Sequence, residues 1–509
     1  MEKLSRRDFL KLAGTLSASA YLSGLKPVAR QAGGQPNVLI LLFDTMSARH
    51  LSLHGYSRQT SPNLERFAER ATVYHSHYAA ANYTTPSTAS MMLGMYPWKH
   101  RAQTHGGLVR RDLVSQNLFE LFGDDFYRLS FAQTWYANIL MQQFVRSVEK
   151  NLSSTSFSLS GKRLFFNDHF LRETALTNFL FEDFAAHLIP DLPGTLLGGY
   201  LSAGYFLRHG DYFRNGFAEY PLGIPYNPNT NLAFLLEDVF EGVFQEIRSS
   251  STQPLPHFSY YHLFAPHEPS KPRQEFIDRF KDDYEMPRKP DHPLGEQRKY
   301  RELEKLCQQY DSYIANVDFE FGLLMDKLEL EGLLDDTYVI VTSDHGQLFE
   351  RTTFGHAGPL MYDSVLRIPL MIRAPGQSSR VDVHSRTCNI DLLPTLLTLF
   401  GRELPPDLDG TLLPAFGGME DPSRPIYSMV SERPSSFGRL YEGTFVLQQG
   451  EYKLIYYRGY KKYSEVFELY NIQEDPDELN DLFPQNLPVA KQMKDQLLDA
   501  LETADRPYQ

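Results

Sequence analysis

An α/β fold around a largely parallel sheet is what this sequence predicts, and three observations carry the expectation. Continuous apolar runs end in acids or histidines, as in NVLILLFDT (37–45) and TYVIVTSDHG (337–346). Runs of that kind are strands buried on both faces. Amphipathic helical stretches separate them, which is the order expected of βαβ units.

In chain order, NVLILLFDT is the first strand and ends at Asp44. Ser61 and Pro62 then open a helix, with apolar residues at helical spacing behind them. In NYTTPSTASMMLGMYP (81–96), Pro86 suits the first turn of a helix. Thr85 is then expected at the N-cap, and Thr84 one residue before it. YRLSFAQT (127–134) is another strand, and FSYYHLFAPHEP (258–269) is a strand running into a histidine-bearing loop. Residues 308–336 form a long amphipathic helix, and RIPLMIRAPG (367–376) is one more strand. Residues 140–250 break the alternation and read as an inserted, mostly helical segment that could cover an apolar substrate. From residue 406 onward a smaller unit follows the main domain of residues 36–405. Its two β-like runs meet at Gly450, and an amphipathic helix closes the chain. This tail predicts a small antiparallel sheet with a terminal helix.

The 509 residues are 42% hydrophobic, enough for a large core. The net charge of −13, with no Lys/Arg-rich block beyond the N-terminus, excludes nucleic acid as a partner. Two distant cysteines, Cys307 and Cys388, make neither a disulfide framework nor a cysteine zinc site; they read as free buried thiols. Residues 1–35 place Arg6 and Arg7 before a short apolar stretch, which resembles a twin-arginine export signal. The expectation is a protein exported folded by that machinery to the periplasm or beyond, tethered only if the signal stays uncleaved. The stretch is too short and too rich in Ser and Gly for a stable membrane span.

Ligands of open α/β sheets bind beyond the carboxyl ends of the strands. Asp44, His262, His267, Asp344, His345 and His356 all fall there. Carboxylates with imidazoles suit a divalent cation. Thr84 falls beside a helix N-terminus, where free N–H groups and the helix dipole attract anions. A metal beside it would lower the hydroxyl's pKa and make it a nucleophile.

Taken in order, LLFDT, GYSRQTSPNLERFAERATVY, YTTPSTASMMLGMYP, FAPHEP, SDHG, FGHAGPLMYDSVLRIPLMIRAPG, DLLPTLLTLFG and FELYNIQEDPDELNDL resemble a sulfatase of the alkaline phosphatase superfamily. The resemblance runs from about residue 36 to the C-terminus, except for 140–250. It implies a three-layer α/β/α sandwich and a metal-dependent hydrolase of sulfate esters, or of similar phosphate esters, on a small molecule or a glycan. By this resemblance Asp44, Asp344, His345 and Thr84 bind one divalent ion (Ca, Mg, Mn or Zn). Thr84 is the nucleophile, His267 binds substrate, and His356 occupies the place of a sulfate-binding Lys. Thr45 stands where many sulfatases have a second metal-binding Asp, and Thr88 replaces the Arg of the nucleophile motif. The Gly-Lys-Trp-His segment is not visible; its region reads SFAQTWYAN. No formylglycine is expected, since oxidation at the threonine β-carbon gives a ketone. Threonine followed by a later Asp-His pair also resembles the phosphoglycerol and phosphoethanolamine transferases of the superfamily. The alternatives are therefore a phosphodiesterase or phosphotransferase, and a binding protein on a degenerate sulfatase fold.

Overall fold

The computed structural model of the chain describes residues 34–159, 217–229, 232–282, 284–432 and 438–508. An eight-stranded sheet organises the main body. Its strands are β1 (Asn37–Phe43), β2 (Thr72–Tyr74), β3 (Tyr127–Ala132), β4 (Lys150–Leu152), β5 (His257–Leu263), β6 (Thr337–Ser343), β7 (Leu370–Arg373) and β8 (Val381–Val383). They lie side by side in the order β8-β2-β7-β6-β1-β5-β3-β4. Strands β6, β1, β5, β3 and β4 run parallel to one another. Strand β7 runs antiparallel to both its neighbours, so the sheet is mixed.

Alternation along β1 shows why three layers form. Leu39, Leu41 and Phe43 pack into one apolar cluster, while Val38, Ile40 and Leu42 pack into the other. Successive side chains of a strand point to opposite faces, so a run apolar at every position needs a cover on each side. Helices α3 (Leu236–Ser250) and α4 (Tyr300–Leu330) cover the first face, and α2 (Thr84–Leu93) and α5 (Leu392–Leu399) the second. Helix α3 buries Leu236, Val239, Phe240, Val243, Phe244 and Ile247, one stripe at helical spacing. Each such side chain contributes about 1.5–3 kcal/mol. A short helix α1 (Pro62–Ala68) begins after Ser61 as expected, but Asp318 of α4 caps it by accepting from the Asn63 and Leu64 amides.

The chain after residue 405 forms a four-stranded antiparallel meander, β9 (Ile426–Ser431), β10 (Gly443–Gln449), β11 (Tyr452–Arg458) and β12 (Val466–Asn471). Helix α6 (Pro488–Asp505) packs Ala490, Met493, Leu497 and Leu501 against one face of it. The other face shares an apolar cluster with Tyr78, Tyr83 and Tyr362 of the main body.

Three expectations are corrected. Helix α2 begins at Thr84, with Tyr83 as N-cap, so Thr85 is not the cap and Thr84 lies inside the first turn. The Ser87 amide donates to the Tyr83 carbonyl and closes that turn, and Pro86, still within it, needs no donor. Helix α4 spans 300–330, not 308–336; Gly332, at φ +68°, turns the chain after it. The stretch 140–250 is not wholly an insertion, because β4 is a sheet strand and α3 a core helix at its two ends. Residues 160–216 of the suggested 140–250 cover lie outside the described residues, as does the twin-arginine segment up to residue 33. Among the described residues no helix is long and apolar enough to cross a membrane. Cys307 and Cys388 are free and buried, as expected.

Candidate metal and nucleophile site

Register brings the two acids together. In the parallel pairing of β1 with β6, Phe43 faces Ser343, so the next residues, Asp44 and Asp344, leave the sheet side by side. On the other flank of β1, Leu42 faces His262. Tyr260 packs into the cluster beneath α2 and Tyr261 into the opposite one. Alternation therefore turns His262 toward the α2 layer, where Thr84 stands. His262 Nε2 lies 3.5 Å from Asp44 and 3.6 Å from Asp344. His345 Nε2 lies 3.8 Å from Asp44, 3.4 Å from Asp344 and 3.3 Å from the Thr84 hydroxyl. Asp44, Asp344, His345 and Thr84 are thus one cluster, and His262 joins it.

Hydrogen bonds fix the orientation of this cluster. Asp344 Oδ1 accepts from the amides of Thr45 and His345, at 3.1 and 2.9 Å. Thr45 reaches that position with φ +62°, a left-handed conformation costly for a β-branched residue and concentrated at functional sites. The Tyr310 hydroxyl holds Thr45 there by donating to its carbonyl. Ser87, one turn into α2, donates to the Asp344 carbonyl and ties the helix start to the acid. His345 Nδ1 faces the Gly346 carbonyl at 3.1 Å and so carries the proton, leaving Nε2 as an acceptor.

Asp44 Oδ1 and Oδ2, Asp344 Oδ2 and His262 Nε2 are all buried and have no hydrogen-bond partner among the described residues. Burial, and then the facing Asp344, hold the Asp44 carboxyl well above the usual carboxylate range. Burial pulls His262 down to about 4. Two inward-facing acids with a neutral imidazole, and no Lys or Arg paired to them among the described residues, are a donor set fitted to a divalent cation. Asp44, His262 and Asp344 each offer a ligand atom within 4.8 Å of the others.

A second group stands beside the first. His356 and His345 have ring centroids 4.3 Å apart, and His267 and His356 4.9 Å. His356 Nδ1 meets Gln347 Oε1 at 3.2 Å, and Gln347 Nε2 donates to Glu268 at 2.8 Å. The amide oxygen can only accept, so His356 carries its proton on Nδ1 and presents Nε2 as an acceptor. His267 Nδ1 faces the Glu268 carbonyl at 2.7 Å. Burial opposes charge on His267, but Glu268 and Asp44 outweigh it and raise the group above the ordinary histidine value. Burial, then the charges of His345 and His267, push His356 well below that value. Asn82 donates to the carbonyls of His356 and Gly358, and the Gly358 amide donates to the Tyr83 hydroxyl. These bonds hold the His356 loop against the entry to α2. Beside Glu268 opens a cavity of about 480 Å³, lined by Tyr226, Lys271 and Phe354 among others.

The structure brings together Thr84 and the six strand-end residues singled out in the sequence. Glu268, Gln347 and Asn82 were missed, because each acts only through a loop brought from elsewhere in the chain. His262 was noticed but left out of the ligand set; the period-2 alternation of its strand was the available signal.

The sulfatase family profile matches residues 36–402, and the profile of the C-terminal part of N-sulphoglucosamine sulphohydrolase matches 356–503. The choline-sulfatase of Rhizobium meliloti (strain 1021) is 25% identical over 478 residues, covering 88% of this chain and 82% of that protein. Among solved structures, the phosphonate monoester hydrolase of Agrobacterium radiobacter superposes with a TM-score of 0.64 at 19% identity, over 92% of this chain and 96% of that one. A protein solved with its substrate D-glucosamine-2-N,6-O-disulfate gives a TM-score of 0.60 at 20% identity, over 93% and 98%. At such identities the superpositions speak for the fold, which is alkaline phosphatase-like. With a profile match across most of its length, this chain belongs to the sulfatase family of the alkaline phosphatase-like superfamily.

Proposed function

We propose that the protein hydrolyses sulfate esters with Thr84 as nucleophile and one divalent cation. The observation that carries this reading is the set of partnerless buried atoms on Asp44, Asp344 and His262, next to a Thr84 hydroxyl 3.3 Å from His345. Asp44, Asp344 and His345 would hold the cation, with Thr84 Oγ1 and His262 Nε2 turned to the same place. Bound there, a cation offsets the two carboxylates, lowers the pKa of the hydroxyl and draws the charge of the ester oxygens.

The chain's own groups then divide the work. Thr84 Oγ1, as the alkoxide, bonds to sulfur while the bond from sulfur to the alcohol oxygen breaks. His267, kept protonated by Glu268, gives its proton to that oxygen. A threonine sulfate ester remains. His356 Nε2, an acceptor, takes a proton from water, which attacks sulfur and frees sulfate and Thr84. The amides of the α2 start face the non-bridging oxygens, a large term in group transfer. Threonine at position 84 carries a methyl on its β-carbon, so no aldehyde can form there.

An ester of phosphorus is the competing substrate, favoured by the Asp344–His345 pair. Metal-loaded protein and Thr84→Ala are to be compared on an aryl sulfate, an aryl phosphodiester and an aryl phosphonate. Turnover of the sulfate that Thr84→Ala abolishes is the expected result. Turnover restricted to the phosphorus esters moves the protein to the competing reading. Activity equal in both proteins demotes Thr84 to a helix residue. Export through the twin-arginine route is supported by Arg6 and Arg7 alone. Replacing both with Lys should leave the protein in the cytoplasmic fraction.

A further inference from the structure

Tyr260 and His262 stand two residues apart on β5 and so share one face of the sheet. Both are fully buried, and the Tyr260 hydroxyl meets His262 Nδ1 at 3.0 Å. The strand that carries them is held on both flanks. In register, Tyr260 faces Ile40 of β1 and Ser130 of β3, and His262 faces Leu42 and Ala132. The Thr88 hydroxyl, one turn beyond Thr84 on α2, lies beside the Tyr260 oxygen. A side chain placed by a strand paired on both sides is held more closely than one on a loop.

A hydrogen bond between a phenol and an imidazole can run either way, and here the second ring nitrogen decides. A proton on Nε2, with two carboxylates in front of it, would draw one of them to about 2.7–2.9 Å. Nε2 instead stays 3.5 Å from Asp44 and 3.6 Å from Asp344, and donates to neither. The proton therefore sits on Nδ1 and is donated to the Tyr260 oxygen. The lone pair of Nε2 is left facing the two acids.

The spacing of these atoms is that of ligands around one ion. Two donors about 2.0–2.2 Å from an ion at tetrahedral angles lie about 3.3–3.6 Å from each other. His262 Nε2 keeps 3.5 and 3.6 Å to the two acids, and His345 Nε2 keeps 3.4 Å to Asp344. The donor set then holds two imidazole nitrogens beside two carboxylates. Mg²⁺ and Ca²⁺ take oxygen donors, whereas imidazole suits zinc-like cations.

We propose that Tyr260 positions His262 as a second nitrogen ligand beside His345, and that this pair of imidazoles makes the site select Zn²⁺ over Mg²⁺ and Ca²⁺. This rests on the cation-dependent reading above. It adds a ligand and a positioning hydroxyl, both from β5. Tyr260 acts through His262: the group that accepts the far N–H of a metal-binding imidazole fixes its tautomer and its aim.

The test uses full-length protein stripped with a chelator and titrated calorimetrically with Zn²⁺, Co²⁺, Mg²⁺ and Ca²⁺. Wild type is compared with His262→Gln and with Tyr260→Phe, which removes one hydroxyl only, after equal melting temperatures of the apoproteins are verified. Wild type should bind Zn²⁺ at least about a hundredfold tighter than Mg²⁺ or Ca²⁺. Zn²⁺ should weaken about a hundredfold in His262→Gln and about tenfold in Tyr260→Phe, with Mg²⁺ within about twofold in both. The visible absorption of bound Co²⁺ should shift in Tyr260→Phe, which a merely structural role for the hydroxyl would not cause. A wild-type preference for Mg²⁺ or Ca²⁺ overturns the selectivity, and needs no variant to fold. Unchanged Zn²⁺ affinity in His262→Gln removes His262 as a ligand. A loss in His262→Gln with none in Tyr260→Phe removes the positioning role, as does an equal loss for every ion in Tyr260→Phe. Turnover of an aryl sulfate, followed in the same samples, separates this proposal from the hydrolase reading. Thr84-dependent turnover with Mg²⁺ or Ca²⁺ bound in preference overturns the selectivity and keeps the hydrolase. Tight Zn²⁺ binding without turnover keeps the Tyr260 and His262 assignments and fails the hydrolase.

Discussion

Two buried clusters of acid and histidine follow the first strand, and they are chemically alike in composition only. In one, Asp311 of α4 faces His50, Tyr56, Arg58 and Cys307. Its Oδ1 meets His50 at 2.8 Å; its Oδ2 accepts from Tyr56 at 2.7 Å and from Arg58 at 2.8 Å. In the other, both oxygens of Asp44 and one of Asp344 accept nothing from the described residues. Either could be scored as a metal site from residue types alone. The first carries its own cation, the Arg58 guanidinium, and every oxygen is used; it braces the loop after β1 onto α4. The second leaves these oxygens without a hydrogen bond from any described residue, at a cost a fold does not bear without a use for it. Satisfaction of hydrogen bonds, not composition, separates brace from site.

The comparison breaks most sharply at Thr84. Thr84→Ala should lower kcat by about 10⁴-fold or more, as loss of a nucleophile does. Its melting temperature should stay near wild type, because one small hydroxyl is removed. Arg58→Leu should do the reverse: it leaves Asp311 buried without its cation and costs about 3–5 kcal/mol in denaturant unfolding. The folded fraction should retain its turnover. An unfolding cost below about 1 kcal/mol there would show that the brace is not needed.

Next comes the response to metal. A divalent cation at about a hundredfold excess over its Kd should stabilise wild type by about 2.7 kcal/mol, and chelation should remove the gain. Asp44→Asn should lose that gain, and its apoprotein should melt higher than wild-type apoprotein, because a buried like-charge pair is relieved. A gain that survives in Asp44→Asn would place the ion elsewhere.

The smallest effect comes from histidines belonging to neither cluster. Burial lowers His77 to about 3 and His100 to about 3. The unfolded chain protonates them below a pH of about 6.5, and the fold does not until about 3. Stability is therefore constant above that window and declines as pH falls through it, by at most about 1.4 kcal/mol per pH unit for each group. His100→Gln, which can still meet the Ser90 hydroxyl, should flatten the slope of unfolding free energy against pH. An unchanged slope would remove His100 as its source.

Much of this was legible before any coordinates. Apolar runs with no polar face can only be strands covered on both sides, so β1, β5 and β6 and their helical covers followed from the residues. Asp44 and Asp344 were legible because a carboxylate closing such a run has nowhere to go but the strand's carboxyl end. The start of α2 was misplaced by two residues: Thr85 looks like a cap, but its hydroxyl serves Gly106 from another loop. The direction of β7 was not legible either, since an apolar run looks the same read both ways.

The sequence by itself determined the class of fold, the family, and the acids, histidines and hydroxyl from which the site is made, because local pattern and strand ends are properties of neighbours in the chain. Only the tertiary structure decided which of them meet. The β1–β6 register sets Asp44 against Asp344, and the turn of β5 aims His262 at both. Such meetings are fixed by register and packing across hundreds of residues, and no short stretch of sequence carries that information.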